Sequence, residues 1–298
     1  MRGTARILSI QSSVVHGYVG NKAAMFPLQV LGFDVDPINS VQLSNHTGYA
    51  KWTGQRLQGE HLDELVRGLE SNQLLAYDYL MTGYIGTESF LQSVLSLMRN
   101  LKATNPALQF VCDPVLGDQG KLYVAEGYVA VYRDKIIPHA DVLLPNQTEA
   151  EFLTGVKIRT LGDAARACQA LHDLGPKVVI ITSIELASAP GTIEVFLSVV
   201  NVGQWKYSVA RIPQTYSGTG DLFSALCLAH LRTHPAPDAI SLTLATVRQV
   251  LERTRAAGRK EILLIESRDD IIDPTRLEPV APVRYDAPTS EQSNVSMS

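Results

Sequence analysis

The chain has 298 residues, 45% of them hydrophobic and 19% charged, which supplies enough apolar material for a large core and places it in the ordinary globular class. A formal net charge of −4 leaves no basic footprint for nucleic acid. No apolar run reaches the ~18 residues of a membrane span, and the N-terminus enters a strand pattern without signal-peptide features, so a cytoplasmic protein with no membrane partner is expected.

The first element is a strand over Arg6 to Ile10. It runs into Ser9-Ile10-Gln11-Ser12-Ser13 and then His16-Gly17-Tyr18-Val19-Gly20-Asn21, hydroxyls and a flexible loop able to meet a small polar ligand. A helix over Asn21 to Leu31 contains Pro27, which predicts a kink. A strand over Val35 to Val41 precedes the polar run Ser44-Asn45-His46-Thr47-Gly48-Tyr49. Next come a helix over Gly59 to Leu69, a strand over Tyr77 to Met81 ending in Thr82-Gly83-Tyr84, and a helix over Glu88 to Leu101. Taken singly, the polar residues at these strand ends are ordinary turn formers; together they outline a pocket for a planar polar molecule, with aromatic faces for stacking.

The strand over Phe110 to Cys112 is followed by Asp113-Pro114-Val115-Leu116-Gly117-Asp118. Two carboxylates five residues apart at a strand's carboxyl end suit magnesium, which takes one or two carboxylates, phosphate oxygens and waters. Turn initiation by Asp113 and capping by Asp118 is the plainer explanation of the same pair. After the strand Val142 to Leu144, Asn146 and Glu149 have capping-box spacing, which capping alone explains; the same helix start could also hold a metal's water shell through Glu149. A helix over Gly162 to Leu174, a strand over Val178 to Ile181 and an antiparallel pair, Glu194 to Val200 with Gln204 to Ile212, follow.

Gly218-Thr219-Gly220-Asp221 then opens an apolar helix running to Leu231. Its glycines permit a tight turn and close approach to a ligand, and unpaired amides at a helix start attract an anion. Asp221 is either a first-turn carboxylate of structural value or a base beside a phosphate, and the helix dipole should make it a weaker base than usual. A helix over Pro237 to Ala257, a strand over Ile262 to Ile265 and a polar, Ser-rich, disordered tail over residues 286 to 298 complete the chain.

Alternation of this kind predicts an α/β fold, a central mostly parallel sheet with helices on both faces, in one domain spanning residues 1 to 285. Ligands in such sheets lie at the carboxyl ends of the strands. Cys112, Cys168 and Cys227 form no C-x-x-C pair and read as reduced core thiols. His230 and His234 have helical metal-ligand spacing but are followed by Pro235 and lack a third ligand. Two nucleotide signatures fail. Gly117-Asp118-Gln119-Gly120-Lys121 has the wrong spacing for a P-loop, and Gly218-Thr219-Gly220 lacks the third glycine of a dinucleotide fingerprint.

These motifs resemble those of the pyridoxal kinases, vitamin B6 kinases of the ribokinase-like superfamily. The resemblance covers roughly residues 5 to 275 and rests on the segments Ser9 to Ser12, Gly17 to Asn21, Phe26 to Phe33, Asn39 to Gln42, Ser44 to Tyr49, Asp113 to Asp118 and Gly218 to Asp221. It implies a three-layer sandwich that transfers the γ-phosphoryl of ATP to the 5′-hydroxymethyl of pyridoxal, and also acts on pyridoxine and pyridoxamine. By the same resemblance Asp221 is the base and Gly218, Thr219 and Gly220 form the anion hole. Ser12, Val19, Val41, His46, Thr47 and Tyr84 match pyridoxal-pocket positions. Asp113, Asp118, Tyr123, Asn146, Glu149, Thr182, Ser183, Ile212, Thr219 and Gly220 match positions that handle ATP or cations, with Asp113, Asp118 and Glu149 on magnesium. The resemblance also implies a homodimer and leaves room for a monovalent cation, K+ or Na+. Two other readings stand beside it: a hydroxymethylpyrimidine kinase, and a non-catalytic B6-binding protein.

Overall fold

The structure, a computed structural model, describes residues 4–286, and the expected tail lies outside the described residues from position 287 onward. In chain order the elements are β1 (Ala5–Val14), α1 (Asn21–Val30), β2 (Phe33–Leu43), β3 (Gly54–Arg56), α2 (Gly59–Ser71), β4 (Tyr79–Thr82), α3 (Glu88–Thr104), β5 (Gln109–Cys112), β6 (Gly117–Asp118), β7 (Lys121–Leu122) and α4 (Gly127–Val131). They continue with β8 (Val142–Leu143), α5 (Gln147–Thr154), α6 (Leu161–His172), β9 (Val178–Ile184), β10 (Thr192–Val199), β11 (Gly203–Ala210), α7 (Thr219–Leu231), α8 (Ala236–Ala256), α9 (Arg268–Ile272) and β12 (Val283–Arg284).

Ten strands form one sheet in the order β12-β11-β10-β9-β8-β5-β4-β1-β2-β3. The stretch from β9 to β2 is parallel throughout, and the antiparallel strands sit at its two ends. The period-2 alternation of each parallel strand feeds two cores. Leu8, Ile10, Leu80, Phe110, Leu143 and Ile181 face one core, closed by Leu62 of α2, Phe90 and Val94 of α3 and Ala167 of α6. Ile7, Met81, Val111, Val142 and Ile180 face the other, closed by Ala24 and Leu28 of α1, most of α7 and Ile240 of α8. Sheet and helices therefore make the three layers that the alternation predicts.

Helix starts are set by local chemistry. Thr87 caps α3 by accepting the Phe90 amide, and Thr160 with Asp163 closes a capping box on α6. Pro27 lies within α1, where it has no amide to donate back to the preceding turn. All three cysteines are free and buried, as expected of core thiols. One expected element is absent: Ile262 and Leu263 are irregular and Leu264 and Ile265 open a turn, with Leu264 N–H on the Ile262 carbonyl at 3.1 Å. Ile262 and Leu264 alternate into the second core as a strand would, yet the Leu263 amide bonds to Thr254 Oγ1 of α8 at 3.0 Å instead of a ladder partner. Alternating burial produced the strand pattern; packing onto helices explains it.

Because the central strands run parallel, the loops after β1, β2, β4, β5, β8 and β9 emerge at the same end of the sheet, and α7 begins there too.

Candidate active site

The α7 start is fixed by one residue that only glycine can be. Gly218 takes a left-handed conformation, φ 84°, and a Cβ there would lie 1.9 Å from the Tyr18 carbonyl oxygen. The loop after β1 thus rests on the turn that opens α7. Beyond the first turn, residues 222 to 230 of α7 are buried, so the helix is embedded in the second core and cannot swing. Its first amides have no intrahelical partners. Thr219 Oγ1 donates to the Tyr216 carbonyl at 3.0 Å, which tightens the turn.

Asp221 stands in that first turn and accepts a hydrogen bond from the Gly20 amide. Burial raises its carboxyl above the usual carboxylate range, and the Gly20 amide only partly offsets the rise. The expectation of a weakened base is therefore reversed, because desolvation outweighs the favourable field of the helix start. Asp113, at the end of β5, is pushed up to about 7 by burial and by the Asp221 charge, against a hydrogen bond from Ser224 Oγ at 2.8 Å. Ser224, one turn beyond Asp221, thus ties the two carboxylates to one helix. Nothing in the sequence pattern singled it out except that it is polar in an apolar run.

Glu149 is buried and raised well above its ordinary value by desolvation and by the Asp113 charge. Its Oε1 accepts the Leu116 amide at 3.0 Å and the Gly117 amide at 3.4 Å; its Oε2 accepts the Asn146 amide at 2.8 Å. The Glu149 amide donates to Asn146 Oδ1 at 2.9 Å, which completes the capping box, and Asn146 Nδ2 donates to the Gly117 carbonyl at 2.7 Å. The capping and site readings of this segment thus coexist: the cap clamps the loop that carries Asp113 and Asp118. Asp118 lies in the small β6-β7 hairpin and accepts the Gln119 amide at 2.8 Å.

The donor set fits a hard cation. Among the described residues none of Asp113, Asp118 and Glu149 forms an ion pair, so their charge lacks a protein counterpart. Among the described residues no three His, Cys, Asp or Glu side chains gather closely enough to hold a metal ion by themselves, so Asp113, Asp118 and Glu149 form no closed cage. His230 and His234 likewise form no such cage. Burial drives His230 down to about 4, consistent with a neutral core imidazole.

A pH dependence of stability follows. Asp113, Asp221 and Glu149 all bind protons more tightly folded than unfolded, so between roughly pH 4, the unfolded value, and about 7 the folded state carries extra protons and stability falls as pH rises. Thermal melting without metal is expected to move up by a few degrees from pH 7.5 to 5.5. Added magnesium should raise the melting temperature more at pH 7.5 than at 5.5, and a metal effect independent of pH would remove these acids from the site.

Val19, Val41 and Tyr84 pack in one small apolar cluster with Val14 and Leu43, apart from both main cores. Ser12 is buried beneath the loop, and a Cβ on Gly20 would lie 2.0 Å from its carbonyl oxygen. Tyr84 is set by Ser40 Oγ, which donates to its carbonyl at 2.6 Å. His46 meets the α7 turn through Ser217, whose Oγ lies 3.2 Å from His46 Nδ1, while Thr47 is exposed at the loop tip. The other residues that the resemblance links to ATP lie in separate places. Tyr123 is largely exposed, and partial desolvation of its phenol, with the Asp118 and Glu149 charges, raises it; Thr182 donates its amide to the Pro145 carbonyl at 2.9 Å beside Ser183. Ile212 packs against the second core.

The Phosphomethylpyrimidine kinase family matches residues 71–264. A pyridoxal kinase of Arabidopsis thaliana is 47% identical over 289 residues, covering 91% of this chain and 92% of that protein, and one of Homo sapiens is 42% identical, covering 92% and 97%. The chain belongs to the pyridoxal kinase family. That family's fold is also seen in the solved pyridoxal kinase of Leishmania donovani with ADP and ginkgotoxin, which superposes with a TM-score of 0.88 at 34% identity and covers 94% of this chain and 99% of that one. The same Leishmania kinase is known with ADP and pyridoxamine, at TM-score 0.87 and 36% identity over 93% and 99% of the two chains. Among the described residues no helix is long and apolar enough to cross a membrane.

Proposed function

We propose a division of roles for the pyridoxal kinase reaction in this chain, transfer of the γ-phosphoryl of ATP to the 5′-hydroxymethyl of pyridoxal, pyridoxine and pyridoxamine. The observation that carries it is the meeting of Tyr18 and Gly20 with the α7 start: the loop of the B6 pocket is in contact with the turn that carries Asp221. The Val19, Val41 and Tyr84 wall receives the flat pyridine ring, with Ser12, His46 and Thr47 as polar contacts. Asp221 orients the hydroxyl and takes its proton late, since a loose phosphoryl-transfer transition state leaves that proton in place until bond formation is advanced. The amides of Gly218, Thr219 and Gly220 meet the charge on the transferred oxygens. Magnesium, when bound, neutralises phosphate charge; Asp113 and Asp118 would hold it directly and Glu149, with most of its lone pairs on backbone amides, through water. Tyr123, Asn146, Thr182, Ser183 and Ile212 complete the ATP side. The resemblance supports a cytoplasmic homodimer of single-domain chains.

The test compares pyridoxal with hydroxymethylpyrimidine as acceptors, with ATP and magnesium held constant. A specificity constant at least about tenfold higher for pyridoxal is expected, since a site built to pair a ring's polar groups discriminates at that scale or above. Preference for the pyrimidine moves the assignment to the other ring, and tight pyridoxal binding without ATP consumption makes the protein a binder.

A further inference from the structure

We propose that Glu261 is a positioning residue that fastens the B6 loops to the phosphoryl-transfer turn; this rests on the pyridoxal kinase reading above. Glu261 lies in the turn after α8, where its neighbours Arg259 and Lys260 suggest a solvated charge cluster, yet its side chain is only 14% exposed. Its Oε1 accepts the Tyr49 hydroxyl at 2.7 Å and His46 Nε2–H at 3.2 Å, and its Oε2 accepts the Tyr18 amide at 3.2 Å. Gly17 lies directly on the carboxylate, for a Cβ there would be 2.2 Å from Oε2.

Two routes lead from this carboxylate to the same turn. With its Nε2–H committed to Glu261, His46 presents Nδ1 as an acceptor, and both the Gly48 amide and the Ser217 hydroxyl donate to it at 3.2 Å. Ser217 adjoins Gly218. On the second route Tyr18, whose amide is held by Glu261, sets its carbonyl against Gly218. The anchor is itself rigid: Ile262 and Leu264 are buried, Thr254 Oγ1 accepts the Leu263 amide, and Arg253 bonds to Ser267 Oγ at 2.6 Å. Three donors converge on one carboxylate; Gln could meet the same partners only by giving its carbonyl oxygen to the Tyr18 amide and its NH2 to Tyr49 Oη and His46 Nε2, a reversal that protonates His46 Nδ1 and sets it against the Gly48 amide.

The experiment is Glu261→Gln in the full chain, read by amide hydrogen exchange and by steady-state kinetics. Exchange is expected to quicken in residues 46–49 and 217–220. KM for pyridoxal should rise about tenfold or more, the scale of a lost hydrogen bond to a charged group, while KM for ATP stays within about twofold. Ser217→Ala cuts the same His46 chain, so its effect on kcat/KM combined with Glu261→Gln should be less than the product of the two single effects; a purely structural role for Glu261 would give the product. Unchanged exchange at 217–220, or multiplicative losses, overturns the assignment. Should Glu261→Gln fail to fold, Tyr49→Phe removes one of the three donors and must still quicken exchange in residues 46–49. Wild-type silence on pyridoxal would sink the functional reading alone, since exchange decides the fastening independently.

Discussion

Replacing Asp221 with Ala is expected to lower kcat for pyridoxal by about 10³-fold or more, the range spanned by positioned acid–base groups, while pyridoxal affinity stays within about threefold. In the proposed division of roles the ring is held elsewhere, for the Val19, Val41 and Tyr84 cluster and the loop bearing His46 are built without Asp221. On that proposal the variant loses the group that orients the hydroxyl and accepts its proton, and only the transition state needs that group. Asp221→Asn separates orientation from proton acceptance, because the amide keeps the size and one acceptor but cannot take a proton. A comparable loss in Asn identifies proton acceptance as the role; an Asn variant near wild-type rate would leave orientation alone, and an active Ala variant removes Asp221 from the chemistry. Stability provides an independent check. Asp221 is a partly enclosed carboxylate whose charge raises Asp113, so its removal relieves Asp113 while leaving the Gly20 amide without its acceptor, and the melting temperature should stay within a few degrees of wild type. Loss of rate without loss of fold is the combination expected of a residue kept for function.

Much of this site was legible in the chain because its parts are local. The Gly218 to Asp221 turn, the Asp113 to Asp118 pair and the Asn146–Glu149 box each depend on residues a few positions apart, and all three occupy the loops and helix starts that their spacing implied. The parallel sheet was equally readable, since strands buried on both faces leave continuous apolar runs. Glu261 and Ser224 were not legible. Glu261 reaches Tyr18 across 243 positions and His46 across 215, and no local pattern distinguishes a carboxylate that meets such partners from one that meets water. Ser224 bonds Asp113 across 111 positions. The segment after α8 shows how a pattern misleads: Ile262 and Leu264 are buried by helices, and burial alternating along a chain carries no record of what does the burying. The basicity of Asp221 was misjudged for a related reason. The helix start was visible in the sequence, whereas the enclosure that outweighs it is tertiary.

Gly218→Ala should cost about 10²-fold in kcat and also lower stability, through two effects that can be separated. The first is conformational: φ of 84° is left-handed, and a Cβ there costs roughly 1–2 kcal/mol wherever it occurs. The second is local: the new Cβ would stand 1.9 Å from the Tyr18 carbonyl oxygen and 3.5 Å from Ile262 Cδ1. A backbone carbonyl is no flexible side-chain tip, so either the Tyr18 loop or the α7 start must move. Movement of the α7 start displaces the 218–220 amides and Asp221; movement of the loop disturbs the B6 wall, and either route damages alignment of the hydroxyl with the phosphoryl group. Gly32 provides the control. Its φ of 87° imposes the same conformational cost on Ala, but a Cβ there meets nothing within 4 Å, and it lies between α1 and β2. Gly32→Ala should therefore lose a similar conformational increment of stability with kcat within about twofold of wild type. If Gly218→Ala behaves like Gly32→Ala in both measurements, contact between Tyr18 and the turn has no part in catalysis; a rate loss confined to Gly218→Ala means that the spacing of loop and turn is itself a catalytic requirement.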